Sequence, residues 1–85
     1  MKNKEIIANA AVEAGILTKD EAEQMLRRNE DIPLHTLQGW LLRGSYKVRK
    51  DEKPIEVRLW KKKEGEDKFY LAKSFLYKIE QLEQI

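Results

Sequence analysis

Between residues 43 and 63 the chain sets nine cations, Arg43, Lys47, Arg49, Lys50, Lys53, Arg58, Lys61, Lys62 and Lys63, against three acids, Asp51, Glu52 and Glu56. Cations at this density can neutralise phosphates once folding gathers them on one surface. Trp60 lies inside the run and Tyr70 shortly after it. An exposed ring beside a basic groove can stack on an unpaired base of any identity. The residues expected to contact nucleic acid are Arg43, Lys47, Arg49, Lys50, Lys53, Arg58, Lys61, Trp60 and Tyr70, with the cations on phosphates and Trp60 as the stacking platform. Two blander readings compete: a lysine-rich face that serves only solubility, and a Trp60 packed beneath a helix.

Other chemistries find little to work with. The chain has no cysteine and one histidine, His35, so a zinc site of nitrogen and sulfur ligands is excluded, along with a thiolate nucleophile. No Ser/His/Asp set, glycine-rich phosphate loop or histidine pair is present, and Glu64 to Asp67 lacks the spaced oxygens of a calcium loop. His35 reads as a polar residue near a helix start. The expectation is a non-enzymatic protein with no catalytic residue, metal or cofactor.

The elements that must position the cations follow from periodicity. Ile6, Ile7, Ala10, Ala11 and Ala14 recur at helical spacing and Gly15 ends the run. Thr18 followed by Glu21 forms a capping box for a second helix, which runs to about Arg28 with Ala22, Met25 and Leu26 inward. Beyond Pro33 a short third helix places Leu34, Leu37, Trp40 and Leu41 on one face and stops at Gly44. The period then becomes two, in Ile55 to Lys61 and Phe69 to Phe75, joined by the acidic turn Glu64-Gly65-Glu66-Asp67. An antiparallel hairpin is expected, with Ile55, Val57, Leu59, Phe69, Leu71 and Phe75 facing the core, and Arg58 and Trp60 facing out beside Tyr70. Tyr46 to Arg49 could add a third strand, and Glu80 to Ile85 a final helical turn.

The predicted fold class is α+β: an N-terminal helical hairpin plus a short third helix packed on a small antiparallel β-sheet of two to three strands. Its 85 residues suit a single domain, with residues 1–33 as the helical hairpin and 34–85 as the helix and β-hairpin. Apolar residues make up 41% and charged residues 38%, and the apolar ones are periodic, which excludes disorder. No apolar stretch approaches the roughly 20 residues of a membrane span, and no signal-like segment follows the basic N-terminus, so a cytoplasmic location away from membranes is expected. The net charge of +2 is unevenly spread: residues 1–45 hold 6 basic and 7 acidic side chains, residues 46–85 hold 11 and 8.

Trp40, Gly44, Val48, the turn Arg49-Lys50-Asp51-Glu52-Lys53-Pro54-Ile55, Leu59-Trp60-Lys61, Phe69-Tyr70-Leu71, Phe75 and Gln81-Leu82-Glu83 follow one another in an order that resembles the N-terminal single-stranded-DNA-binding domain of the ArdC antirestriction family. The resemblance covers about residues 34–85. Asp51 stands where that family has a turn glycine, and aspartate tolerates left-handed geometry better than most residues. Leu82 replaces a valine, the helical hairpin of residues 3–28 replaces a longer helix, and the metallopeptidase-like part of full-length relatives is absent. The resemblance implies a DNA-binding α+β domain carried by a phage, plasmid or other mobile element, with single-stranded DNA preferred over duplex and a role against host defence. An alternative is a protein that inhibits a restriction or CRISPR nuclease through its acidic clusters, Glu21, Glu23, Glu30 and Asp31 or Glu64, Glu66 and Asp67. The element order also fits a winged helix-turn-helix, with Leu34 to Arg43 as recognition helix and Glu64 to Lys68 as wing tip.

Overall fold

A computed structural model describes residues 2–85. Two helices, α1 (Asn3–Glu13) and α2 (Lys19–Arg27), form the expected hairpin. Gly15 closes α1 with φ +74°, a left-handed conformation that glycine adopts without steric cost. Thr18 caps α2: its side chain accepts from the Glu21 N–H at 3.1 Å, and the Thr18 N–H donates to Glu21 Oε1 at 3.0 Å. Those bonds to Thr18, the backbone one first, favour the charged carboxylate and hold the Glu21 pKa below its ordinary value.

The third helix is shorter than its apolar spacing suggests. α3 covers Leu37–Leu41, because Thr36 accepts from the Gly39 N–H and so fixes the start after Leu34. Leu34 instead lies in the preceding extended segment and is fully buried, while Leu41 is exposed. The expected common face of Leu34, Leu37, Trp40 and Leu41 therefore does not form. Gly44 follows the helix without positive φ. Its role is close approach, since a Cβ there would sit 2.8 Å from the Tyr46 ring.

Among the described residues four strands make two antiparallel ribbons: β1 (Tyr46–Val48) with β4 (Leu82–Gln84), and β2 (Ile55–Lys62) with β3 (Phe69–Leu76). The fold class is α+β. Tyr46 to Val48 is a strand, but it pairs with the C-terminal residues rather than extending the hairpin, and what was expected as a final helical turn is one 3₁₀ turn (Ile79–Gln81) leading into β4. Arg49 and Gln81 explain this ribbon. The Arg49 N–H donates to Gln81 O at 2.9 Å and the Gln81 amide donates to Lys53 O at 2.7 Å, which seals the turn that Asp51 makes at φ 64°.

The core joins the two helices, the link after them and one face of the hairpin: Ala8, Ala10, Ala11, Ala22, Ile32, Leu34, Leu59 and Leu76. Alanines on α1 let the helix approach β2 closely, and Ile6, Ile7, Met25, Leu26, Ile55 and Val57 fill the margin. Trp40 is buried beside this core, donating its indole N–H to Tyr77 O at 2.8 Å and meeting His35 and Tyr46 edge-on. No described helix is long and apolar enough to cross a membrane.

Candidate nucleic-acid interface

The turn between β2 and β3 sets which side chains share a face. The Lys63 N–H donates to Lys68 O at 2.9 Å, closing a four-residue loop with Gly65 at φ +77°. From that pair the register runs Lys62 opposite Phe69, Trp60 opposite Leu71, Arg58 opposite Lys73 and Glu56 opposite Phe75. Strand alternation puts all eight on one face, and all eight are exposed. Leu59, Val57 and Ile55 lie on the other face, opposite Ala72, Ser74 and Leu76.

This corrects two expectations. Phe69, Leu71 and Phe75 do not face the core; they are 64%, 46% and 46% exposed, and Ala72, Ser74 and Leu76 replace them inside. The reason is that β3 is apolar at both parities, so its composition does not choose a face and the turn length does. For the same reason Tyr70 lies opposite Lys61, on the face away from Trp60. Arg58 and Trp60 do point outward as expected, with Trp60 39% exposed.

The outer face therefore combines three rings, Trp60, Phe69 and Phe75, with three cations, Arg58, Lys62 and Lys73. Arg58 and Lys73 oppose each other directly across the strands, an arrangement that is destabilising on its own. Glu56 relieves it in part, at 3.6 Å from Lys73, and Asp67 lies 3.6 Å from Lys62. Both pairs are highly exposed and bind their lysines weakly. An anion placed between Arg58 and Lys73 would relieve the repulsion further.

Asn3 fixes the edge of this face beside Trp60. Its side chain accepts from the Trp60 N–H at 2.7 Å and donates to Trp60 O at 2.9 Å, so the first residue of α1 occupies the free edge of β2 at the tryptophan.

The remaining sequence candidates are dispersed. Arg43 is tied to Asp31 by two bonds, 3.2 and 3.1 Å, and to Gly39 O at 2.8 Å. Lys47 sits on β1 within 3.6 Å of Glu83, and Arg49 donates its Nε to Leu82 O. Lys50 and Lys53 lie exposed in the turn beyond β1, and Lys61 points to the inner side of the hairpin. Arg43 also bears on the winged-helix reading: the proposed recognition helix is five residues long and its following cation is engaged by Asp31.

Asp31 also meets His35 Nε2 at 3.0 Å. Burial, with the nearby Arg43 charge, keeps the His35 pKa below its ordinary value despite the pull of Asp31. Burial would raise the Asp31 pKa, but the hydrogen bond and charge of Arg43 and the charge of His35 outweigh it and leave it lowered. The triad is a structural brace for α3. No group of acids and histidine able to hold a metal occurs among the described residues. Residues of this face that sequence reasoning did not single out are Phe69, Lys73, Phe75 and the positioning Asn3, while Lys62 belonged to the basic run but not to the candidate contacts. No family model, no curated protein and no solved structure matches the chain.

Proposed function

We propose that the protein binds single-stranded nucleic acid, single-stranded DNA in the first instance, on the outer face of the β2–β3 hairpin. Bases stack on Trp60, Phe69 and Phe75, and phosphates meet Arg58, Lys62 and Lys73. The observation that carries this reading is the interleaving of exposed rings with cations on one sheet face, where the directly opposed Arg58 and Lys73 repel each other and a polyanion with aromatic faces would meet both features. The rings on this face are exposed to solvent, which suits stacking on splayed bases better than reading a duplex groove. A cytoplasmic protein of a mobile element, acting against host restriction, is the biological setting this reading carries.

Anisotropy titration of labelled oligonucleotides tests it. Affinity should rise steeply as salt is lowered, and single strands should compete better than duplex. No binding at low ionic strength removes the proposal. Exposed Phe69 and Leu71 give a second reading, an apolar surface for a host nuclease. Its signature is a protein partner that stays bound after nucleic acid is digested.

A further inference from the structure

The outer edge of β3 is unpaired from Phe69 to Phe75. Three sets of bonds fix which backbone groups point there. Trp60 gives both its backbone groups to Asn3, the Lys63–Lys68 bond joins the two strands, and Tyr77 exchanges bonds with His35 at 2.7 and 3.2 Å on the far side. Antiparallel alternation then turns the N–H and C=O of Phe69, Leu71, Lys73 and Phe75 away from β2. No described strand lies beyond them. Protein edges are usually blunted by charge, proline or cover; this one carries a single cation, Lys73, and two phenylalanines.

We propose that a second copy of the chain pairs antiparallel along this edge, with Ala72 on the two-fold axis. Three features select this occupant and register. The free edge is bounded by the turn at one end and the His35–Tyr77 bridge at the other, and this register uses all of it, placing Phe69 opposite Phe75 and Leu71 opposite Lys73 of the second copy. A shift of two residues toward the bridge would set Lys73 against Lys73. The opposite shift would run Phe75 onto Asp67 in the turn.

The third feature lies beside the edge. An open cleft of about 430 Å³ lies between Lys73, Ser74 and Phe75 of β3 and the segment Thr36, Leu37 and Gln38, and reaches Leu59 and Lys61. In the proposed register the Tyr70 side chain of the second copy stands opposite Ser74 and fills this cleft; in the isolated chain Tyr70 is 47% exposed. Because Asn3 occupies the β2 edge at Trp60, pairing closes at two copies instead of continuing into a fibre. The product is a four-stranded sheet whose outer side joins both aromatic faces.

The test needs no nucleic acid, so it is independent of the binding reading. Sedimentation of the full chain should give twice the 10.1 kDa chain mass. Lys73→Pro removes an N–H that no bond among the described residues uses and should halve that mass with the far-UV circular dichroism unchanged. Ala72→Cys, the only thiol in its chain, should oxidise to a covalent dimer, since opposed residues of a non-hydrogen-bonded pair lie about 4.5 Å apart, within disulfide range. Ser74→Cys should not. A wild-type monomer at concentrations up to about 1 mM, or equal cross-linking at positions 72 and 74, overturns the proposal. Should Lys73→Pro fail to fold, the cysteine pair decides.

Discussion

Replacing Trp60 by Leu isolates the stacking contribution from the packing contribution of the same side chain. With 39% of its surface exposed, roughly three-fifths of a tryptophan's ~150–250 Å² rests on neighbours, worth about 2–4 kcal/mol at ~25 cal/mol/Å². Alanine would forfeit most of that and confound weak binding with weak folding. Leucine keeps an apolar cover opposite Leu71 and removes the aromatic face. Base stacking on one ring is worth ~1–3 kcal/mol, so Trp60→Leu should weaken oligonucleotide binding by roughly 5- to 150-fold. Trp60→Phe should recover most of it. The salt dependence should be unchanged, because no cation is lost. Wild-type binding should also quench indole fluorescence through Trp60, since Trp40 is only 7% exposed. An unchanged affinity in Trp60→Leu, with a folded protein by circular dichroism, would refute the stacking role and leave a purely electrostatic surface.

The cations should behave differently from the rings. Arg58→Gln or Lys62→Gln should lower the slope of log affinity against log salt by about 0.7, one single-strand phosphate each, whereas Glu56→Gln frees Lys73 and should strengthen binding, all read from the same titrations. Asn3→Ala removes both bonds to the Trp60 backbone and should cost about 1–2 kcal/mol in urea unfolding, with little change in the denaturant slope. Stability should also depend on pH through the His35 triad. His35 has a folded pKa below its ordinary 6.5, so as pH falls through that value the unfolded chain takes up a proton that the folded chain resists, and the urea midpoint should drop; His35→Asn should remove this step. Below the ordinary Asp31 value of 3.8 a further loss follows as that lowered carboxyl protonates.

Local signals were legible from residue types alone. The Thr18–Glu21 box and the Gly15 stop each depend on a few adjacent residues, and each appears where its chemistry requires, whereas the left-handed Asp51 was implied only by the family resemblance. The pairing of β1 with β4 was not legible, because nothing in Tyr46–Val48 or Leu82–Gln84 specifies the other across so long a separation. The face of β3 is an intermediate case. Phe69, Leu71 and Phe75 compete with Tyr70, Ala72 and Leu76 for the core, and burial preference favours the larger residues. Yet the turn Glu64 to Asp67 already implies Lys63 opposite Lys68, and counting back from that pair sets Leu71 against Trp60. Turn length outranks side-chain size here because a one-residue slip would invert every position of the strand.

The short β1–β4 ribbon ties residues 46–48 to residues 82–84 and so encloses the whole hairpin between its ends. Closing that excursion from an open chain costs entropy that three residue pairs repay poorly. Once the hairpin has formed from its four-residue turn, only the short segments on either side of it remain to be ordered. Folding is therefore expected to run from the turn inward, with the ribbon fastened last. In a chevron experiment Gly65→Ala should slow the folding limb, since it strains a left-handed turn position, whereas Leu82→Ala should mainly accelerate unfolding.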